Sequence, residues 1–318
     1  MKKFYISILL VAVMVIAAAC GSNDNGNNND AGNNEAAGTV TVEHDMGTTE
    51  VKKNPDNVVV FDFGTLDSLQ KLGLQDVVTG VAQAGVIPTY LEEFASDDYE
   101  NIGSLKEPDF EKIAEINPDL IIISARQGEV YEQLAEITDT IQLEVDTTRY
   151  MDSFRENVGV LGEIFEKEAD VEAALADLDE TIASVQETVK EADKNALIIL
   201  ANDDKISAYG PSSRFGIIHD VFGVPAADDG IDVATHGMNV SFEYVVEEDP
   251  DLLYVVDRGA VVGGDSSAQQ IVENKLVERT KAYKNDDIVY LEPEYWYLAG
   301  GGLQSVQAMA DEIVDSLE

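Results

Sequence analysis

Cysteine is almost absent from this 318-residue chain, which has only Cys20. A single thiol excludes an internal disulfide. The apolar run Ile6–Ala18 lies just before Cys20 and follows Lys2 and Lys3, which is the pattern of a secretory signal. The run is too short for a stable membrane-spanning helix. We therefore predict that residues 1–19 are a signal peptide and that Cys20 is lipidated. Ordinary cleavage beside a stray cysteine is the alternative.

Apolar side chains are nearly missing from residues 21–38, which are rich in asparagine and glycine. Such a segment cannot bury enough surface to fold. We predict a disordered tether over residues 20–38 that reaches roughly 20–25 Å on average. Anchored through Cys20, this tether would hold the remaining chain at the extracellular face of the cell membrane.

Positive charge is scarce in the chain. There are 20 lysine and arginine residues against 62 aspartate and glutamate residues, a net charge of −42. Loss of Lys2 and Lys3 with the signal leaves 18 basic residues and a net charge of −44. This excess disfavours binding to nucleic acid or to an anionic membrane. A pocket for an anion must gather scarce cations, and arginine occurs only at positions 126, 149, 155, 214, 258 and 279.

Two of these arginines end a repeated segment. The seventeen residues Phe110–Arg126 recur without a gap at Phe242–Arg258, with seven identical positions. Each copy reads as a short helix, a Pro-Asp break and an apolar strand that leads to its arginine. Ligands of open α/β sheets bind beyond the carboxyl ends of the strands. Two equivalent lobes would therefore each aim an arginine at a shared cleft, which predicts a two-lobed binding protein for an anion.

Proline is absent between Pro118 and Pro211, and residues 151–192 show helical periodicity. The apolar phase breaks at residues 166–170, which predicts two helices rather than one. The second helix, over 168–192, would run roughly 36 Å. A single helix bends little, so we expect small opening motions between the parts that it connects.

The predicted fold class is α/β, with two Rossmann-like lobes bridged by this single long helix and a ligand cleft between the lobes. The lobes span residues 39–167 and 193–318. The second lobe repeats the strand and helix units of the first. The predicted elements include a hairpin around Met46-Gly47, strand Val58–Phe63, helix Leu66–Leu72, strand Ala196–Ala201 and helix Phe215–Phe222.

Several segments together resemble the siderophore-binding lipoproteins of bacterial ABC importers, and most closely the petrobactin-binding type of Gram-positive bacteria. The resemblance covers residues 39–318. It implies that the chain binds a ferric siderophore such as petrobactin, a mixed citrate and catecholate chelator whose ferric complex is polyanionic. The segments are VVVFDFGTLDSLQKLGL (58–74), GSLKEPDFEKIAEINPDLIIISARQ (103–127), ANDDKISAYGPSSRFGIIHDVFGV (201–224), VDRG (256–259) and WYLAGGGL (296–303).

The resemblance implies that Arg126, Arg214 and Arg258 form a basic triad over the ligand. It also implies that Glu111 and Glu243, one per lobe, dock onto arginines of the ABC permease dimer. Each residue has a plainer interpretation. Nearby acids such as Asp257 could satisfy the arginines, and the glutamates could serve only to stabilise the first turns of their helices.

Aromatic side chains near the strand ends are the second group of candidate ligand contacts, since a ring can stack on a catechol. Trp296 and Tyr297 precede the glycines at positions 300–302, and Tyr209 precedes the Arg214 loop. Phe63 and His236 are further candidates. Free N–H groups after Gly302 would also favour an anion. Ordinary packing beneath a loop is the alternative for the aromatic residues.

Signatures of catalysis or metal binding are missing. His44, His219 and His236 show no metal-ligand spacing, and the three glycines lack the Lys-Ser/Thr of a phosphate loop. We predict a monomeric binding protein without enzymatic activity or cofactor, in which the siderophore itself holds the iron. The alternatives are a protein for another iron chelate, haem or a corrinoid, a siderophore-hydrolysing esterase, and a surface adhesin or structural lipoprotein.

Overall fold

The computed structural model describes residues 38–203, 205–264 and 267–317. The predicted signal peptide, Cys20 and the tether up to residue 37 lie outside the described residues. Within those residues, no helix combines the length and the apolar character needed to cross a membrane.

An antiparallel hairpin opens the described chain. Strands β1 (Thr39–His44) and β2 (Gly47–Lys52) pair along their whole length. Val40 and Val42 are buried and alternate with exposed neighbours, as a half-buried strand requires. The turn lies one residue earlier than predicted, because Gly47 already pairs with His44.

The first lobe is built on a five-stranded parallel sheet of order β5-β4-β3-β6-β7. Apolar clusters cover both of its faces, and so its central strands are apolar throughout. The elements are β3 (Val58–Val60), α1 (Phe63–Lys71), β4 (Val78–Val81), β5 (Glu100–Asn101), α2 (Phe110–Ile116), β6 (Leu120–Ile123), α3 (Tyr131–Ala135) and β7 (Thr140–Gln142).

Strand β3 is shorter than the predicted Val58–Phe63. Asp62 lies at the N-cap of α1, where its side chain accepts a hydrogen bond from the Thr65 N–H at 2.7 Å. A capping aspartate satisfies one of the free N–H groups at a helix start. Phe63 therefore begins the helix instead of ending the strand.

The phase break predicted two helices rather than one in this region, and the structure contains both. Helix α4 (Tyr150–Phe165) ends at Glu166, whose φ of 53° is left-handed, and α5 (Glu168–Ala192) begins two residues later. Helix α5 has 25 residues and the bounds predicted for the connecting helix. Its buried stripe packs against the second lobe and consists of Val171, Leu178, Ile182, Val185 and Val189.

The second lobe contains a five-stranded sheet of order β10-β9-β8-β11-β12. When the strands of each sheet are numbered from 1 to 5 along the chain, both sheets have the spatial order 3-2-1-4-5. The elements are β8 (Ala196–Asn202), β9 (Lys205–Tyr209), α6 (Ile217–Asp220), β10 (Met238–Val240), α7 (Phe242–Glu248), β11 (Leu252–Asp257), α8 (Arg258–Val262), α9 (Ala268–Val272), α10 (Lys281–Lys284), β12 (Ile288–Leu291) and α11 (Leu303–Asp315).

The second lobe departs from the predicted strand, loop and helix after Ala201. Strand β9 runs antiparallel to β8, and its first residue, Lys205, is paired with Asn202. The sheet is therefore mixed, whereas the first is parallel. The predicted helix Phe215–Phe222 is reduced to the single turn α6. Residues 214–216 still form turns of the loop that carries Arg214, so the helix begins only at Ile217.

The repeated segment forms the same module in both lobes. Helices α2 and α7 begin and end at positions 132 residues apart, and both end at a left-handed residue, Asn117 (φ 50°) and Asp249 (φ 42°). Strands β6 and β11 then start at the same offset. The predicted α/β fold with two similar lobes and one long connecting helix is confirmed.

Candidate functional site

The repeated arginines lie beside the strands where ligands of open α/β sheets bind. In each sheet the order reverses between two central strands, β3 and β6 in the first lobe and β8 and β11 in the second. Arg126 follows β6 and Asp62 follows β3, while Arg258 follows β11 and Asn202 ends β8. Both arginines thus lie at a topological switch point, the usual position of a ligand.

Arg258 is fixed by two neutral acceptors. Its Nε donates to the Tyr297 hydroxyl at 2.9 Å, and its Nη1 donates to the Asn202 side-chain oxygen at 2.6 Å. Asp257, the acid proposed as an alternative partner, instead accepts from the N–H groups of Ala260 and Ala268. The charge of Arg258 is therefore held in place without being neutralised by its neighbour in the chain.

Arg214 lies on the other side of Tyr297. Its Nη2 donates to the Tyr297 carbonyl oxygen at 2.6 Å, and its guanidinium carbon is 4.2 Å from the centroid of the Tyr297 ring. Burial lowers the pKa of Arg214, and the positive charge of Arg126 lowers the pKa further. Arg214 and Arg258 thus meet at one residue, Tyr297, through its carbonyl oxygen and its hydroxyl.

Arg126 belongs to the first lobe and is the most open of the three, with 31% of its side chain exposed. It lies in a 3₁₀ turn after β6, and its Nη1 is 4.0 Å from Oδ1 of Asp62. Burial raises the pKa of Asp62, although the charge of Arg126 opposes this rise. Pairing with a nearby acid was the plainer interpretation of the arginines. For Arg126 this interpretation holds in part, because Asp62 offsets some of its charge.

Tyr297 contacts both arginines of the second lobe, Arg214 and Arg258. It lies in the π-helical turn Glu294–Leu298, half-buried against the apolar clusters of both lobes. Burial alone would raise its pKa, but the hydrogen bond from Arg258 and the charges of Arg214, Arg258 and Arg126 lower the pKa overall. The position occupied by this phenol is therefore one that stabilises negative oxygen.

Two of the predicted ligand contacts belong to the core instead. Trp296 is 3% exposed and donates from Nε1 to Oε2 of Glu312 at 2.6 Å, so its side chain packs towards α11. Phe63 is 2% exposed and packs in the first lobe, since it lies inside the first turn of α1. The structure thus gives both side chains packing roles, and a ligand contact from either of them stays a prediction.

Tyr209 and His236 lie near the arginines in different ways. Tyr209 is 2% exposed and meets the Phe215 ring edge-on at 4.7 Å, so it supports the Arg214 loop from beneath rather than facing a ligand. His236 is exposed in the loop before β10, and the next residue, Gly237, packs on the Tyr209 ring. A ligand contact from His236 stays a prediction.

The start of α11 was predicted to attract a ligand anion, but a carboxylate of the protein already lies there. Asp67 of α1 accepts from the N–H groups of Gln304 and Ser305, each at 2.7 Å. A carboxylate at a helix start satisfies free N–H groups and the positive end of the helix dipole. The anion at this helix start is therefore supplied by the first lobe.

The predicted docking residues Glu111 and Glu243 are exposed in the first turns of α2 and α7. Glu111 lines an open surface cavity of about 610 Å³ together with Phe110 and Glu107. Hydrogen bonds from its own N–H and from Ser241 lower the pKa of Glu243, so this carboxylate stays charged. Their equivalence between the lobes fits a two-fold partner, and docking stays a prediction.

In the described part of the chain, no three His, Cys, Asp or Glu side chains are arranged to hold a metal ion. The polar groups gathered near Tyr297 are instead the guanidinium groups of Arg214 and Arg258, with Asn202 beside Arg258. Guanidinium groups bind carboxylate and catecholate oxygens through paired N–H donors and stack on aromatic planes. The arrangement suits an oxygen-rich anion held between two lobes.

Two α/β lobes with an arginine delivered from equivalent strands define a two-lobed solute-binding protein. The family model described as periplasmic binding protein matches residues 58–295, and the chain belongs to this family. The chain is 49% identical to the petrobactin-binding protein YclQ of Bacillus subtilis over the full length of both. The resemblance predicted from the sequence is therefore confirmed.

Solved structures of similar proteins share this fold. The crystal structure of YclQ matches with a TM-score of 0.86 at 51% identity, covering 88% of this chain and 99% of that one. The iron-uptake ABC transporter substrate-binding protein PiuA of Streptococcus pneumoniae matches with a TM-score of 0.83 at 36% identity, over 87% and 99%. The catecholate-siderophore binding protein VctP of Vibrio cholerae matches with a TM-score of 0.80 at 34% identity, over 86% and 99%.

Proposed function

We propose that this protein captures an anionic ferric siderophore of the petrobactin type and delivers it to an ABC importer. The observation that carries the proposal is the placement of Arg214 and Arg258 on Tyr297, with Arg126 at the equivalent switch point of the first lobe. Support also comes from relatives whose names state a petrobactin or catecholate-siderophore ligand. The chelator brings its own iron ligands, so the protein needs only to recognise the complex.

The energetics fit this role. A guanidinium has five N–H donors, and the described contacts use two on Arg258 and one on Arg214. Each charge-assisted hydrogen bond to a ligand contributes about 1.5–3 kcal/mol. Three of them supply about 5–9 kcal/mol, near the roughly 8 kcal/mol of a micromolar complex. Tighter binding requires stacking and burial of the ligand as well.

Delivery would use both lobes and the membrane anchor. Glu111 and Glu243 would pair with arginines of a permease dimer, one from each lobe. Cys20 would be acylated after removal of residues 1–19, and the tether would keep the protein near its permease outside the cell. The monomeric state and the absence of catalysis belong to the same proposal.

A ligand panel tests the proposal. Trp296 is the only tryptophan of the chain and is adjacent to Tyr297, so its emission can report on occupancy of the cleft. We expect saturable quenching with ferric petrobactin and weaker binding of ferrichrome, a neutral hydroxamate, and of haem. Tighter binding of ferrichrome than of the catecholate would overturn the ligand class.

A second measurement separates a binding protein from an esterase. Ferric petrobactin is incubated with the protein and then analysed by mass spectrometry. An intact ligand is the expected outcome. Hydrolysis products that form with this protein, and not with an Arg214→Ala variant prepared alongside it, would show an enzyme instead.

A further inference from the structure

The loop that carries Tyr297 belongs to the second lobe, yet the first lobe holds both of its ends. At its start, Glu294 accepts hydrogen bonds from the N–H and the hydroxyl of Thr89, both at 2.7 Å. At its far end, the first turn of α11 is hydrogen-bonded to α1. The arginine site thus contains a segment whose path depends on contacts between the lobes.

Asp67 is the centre of the contact at the far end. It is 0% exposed, and Oδ1 accepts from the Gln304 N–H while Oδ2 accepts from the Ser305 N–H. The Tyr90 hydroxyl also donates to Oδ2, at 3.0 Å. A fully buried carboxylate is costly unless its oxygens accept several hydrogen bonds, and here three are made. These hydrogen bonds therefore hold α1 and the start of α11 together.

Ser305 continues this contact into the loop. Its hydroxyl accepts from the Gly302 N–H at 3.0 Å and donates to the Ala299 carbonyl oxygen at 2.7 Å. Ala299 is two residues from Tyr297. The neighbouring Ser68 accepts from the Leu303 N–H at 3.1 Å, so α1 binds three successive N–H groups of α11.

The glycines of this segment fit the same close approach. A Cβ atom on Gly302 would overlap the carboxylate of Asp67, and one on Gly301, whose φ is 102°, would lie 2.6 Å from Val145. On the other side, a Cβ atom on Gly64 would lie 3.2 Å from the carbonyl oxygen of Ala299. Helix α1 and the loop therefore meet backbone to backbone.

We propose that Asp67 is a positioning residue for the ligand site. It fixes the loop between the lobes, and the loop in turn places Tyr297, whose carbonyl and hydroxyl oxygens orient Arg214 and Arg258. Asp67 itself touches neither arginine in the described contacts. The part of this inference that concerns ligand affinity rests on the proposed function, whereas the part that concerns the loop does not.

The variant Asp67→Asn tests the inference with almost no change of volume. Its amide replaces one acceptor oxygen with an N–H donor, which would face the donor groups of Ser305 and Tyr90. The loop should then relax and Tyr297 should move away from the arginines. We expect the ferric petrobactin affinity to fall about tenfold, since one buried donor loses its acceptor.

Tyrosine ionisation, followed by ultraviolet absorbance, gives a readout that a general loss of stability would not move. In the unmodified protein we expect one tyrosine to ionise at lower pH than the others, and Tyr297→Phe should remove that step. Asp67→Asn should shift the step upward, because the phenol loses the nearby positive charges. Emission of Trp296 in the ligand-free variant should change in parallel.

Val277→Ala is the matched control. Val277 is fully buried in the cluster on the opposite face of the second sheet, away from the loop. This variant should lose stability and keep both the early tyrosine step and the affinity. An Asp67→Asn variant with an unchanged tyrosine step and unchanged affinity would overturn the inference. If the unmodified protein bound no ferric siderophore, the proposed function would fail, while the tyrosine step and Trp296 emission would still decide the role of Asp67.

Discussion

Arg126 and Arg258 occupy the same place in the repeated module, but their surroundings differ in charge. Across the switch point, Arg258 meets the neutral Asn202 at 2.6 Å, whereas Arg126 faces the acidic Asp62 at 4.0 Å. The second lobe also contributes Arg214 and Tyr297. It therefore forms a prepared cationic surface, while the first lobe offers one arginine whose charge is partly offset. The two copies of the module thus place their arginines in the same way but differ in the charge beside each arginine.

The proposed docking residues, Glu111 and Glu243, should contribute equally to uptake because they occupy equivalent positions in the two lobes. The double variant Glu111→Ala with Glu243→Ala should abolish siderophore uptake by cells and leave ligand affinity unchanged, because both residues are exposed and lie outside the arginine cluster. Uptake of radiolabelled iron, measured beside a binding titration, checks this. The single variants should each lose uptake to a similar degree. Normal import by the double variant would contradict a two-fold docking surface.

Asp67, the buried acid between the lobes, should give a pH-dependent stability. Burial raises the pKa of Asp67 to about 6, above its ordinary value of 3.8, although hydrogen bonds from Gln304, Ser305 and Tyr90 oppose the rise. A raised pKa in the folded state contributes stability that is present below pH 4 and lost as the pH rises through 6. Relative to Asp67→Asn, the free energy of unfolding should fall by about 2 kcal/mol between pH 4 and pH 7. Chemical denaturation at both pH values measures this difference. Parallel pH profiles for the two proteins would contradict it.

The arginines should contribute unequally to affinity. Arg214→Ala and Arg258→Ala should each weaken ferric-catecholate binding by about 1.5–3 kcal/mol, with little loss of fold. Arg126→Ala should lower the affinity by less, because Asp62 already offsets part of the charge that Arg126 offers to the ligand. Fluorescence titration of the three variants tests the ranking. A larger loss for Arg126→Ala than for the other two would reverse our assignment of the second lobe as the main binding surface.

An exchange of the two switch-point residues should produce the smallest effects. Asp62→Asn should tighten binding of the anionic ligand by roughly 1 kcal/mol, because asparagine removes a competing charge and still caps α1. Asn202→Asp should weaken binding by a similar amount, since it would neutralise Arg258. Calorimetric titration of both variants and of the exchanged pair resolves such differences. Equal affinities throughout would show that these neighbours do not tune the site.

Elements that rest on local periodicity could be predicted from the sequence. The repeated module, the long helix α5 and the break near Glu166 all have strong apolar spacing, and the structure places them where the spacing indicates. Strand β9 was missed, because the sequence between β8 and β9 carries no Asn-Gly signal for a hairpin. Strand β3 was predicted too long, because the capping role of Asp62 outweighs the apolar run around it.

The site was predictable in part. Arg126, Arg214 and Arg258 could be found from their scarcity, the repeat and the family resemblance. Trp296 and Tyr297 could not be told apart, because they are adjacent in sequence and only tertiary packing decides that Trp296 is buried against Glu312. The anion at the start of α11 was predicted to be the ligand, although Asp67 fills that position from 235 or more residues away in sequence. Only the packing of one lobe on the other reveals such a partner.

The location of bound iron tests the central claim most directly. A crystal of the protein with ferric petrobactin, measured at the iron absorption edge, gives an anomalous peak at the metal. We predict one peak between the lobes, beside Tyr297 and within reach of Arg126, Arg214 and Arg258 through the chelator. A peak outside this cleft, or a bound siderophore whose oxygens touch none of the three guanidinium groups, would contradict the account.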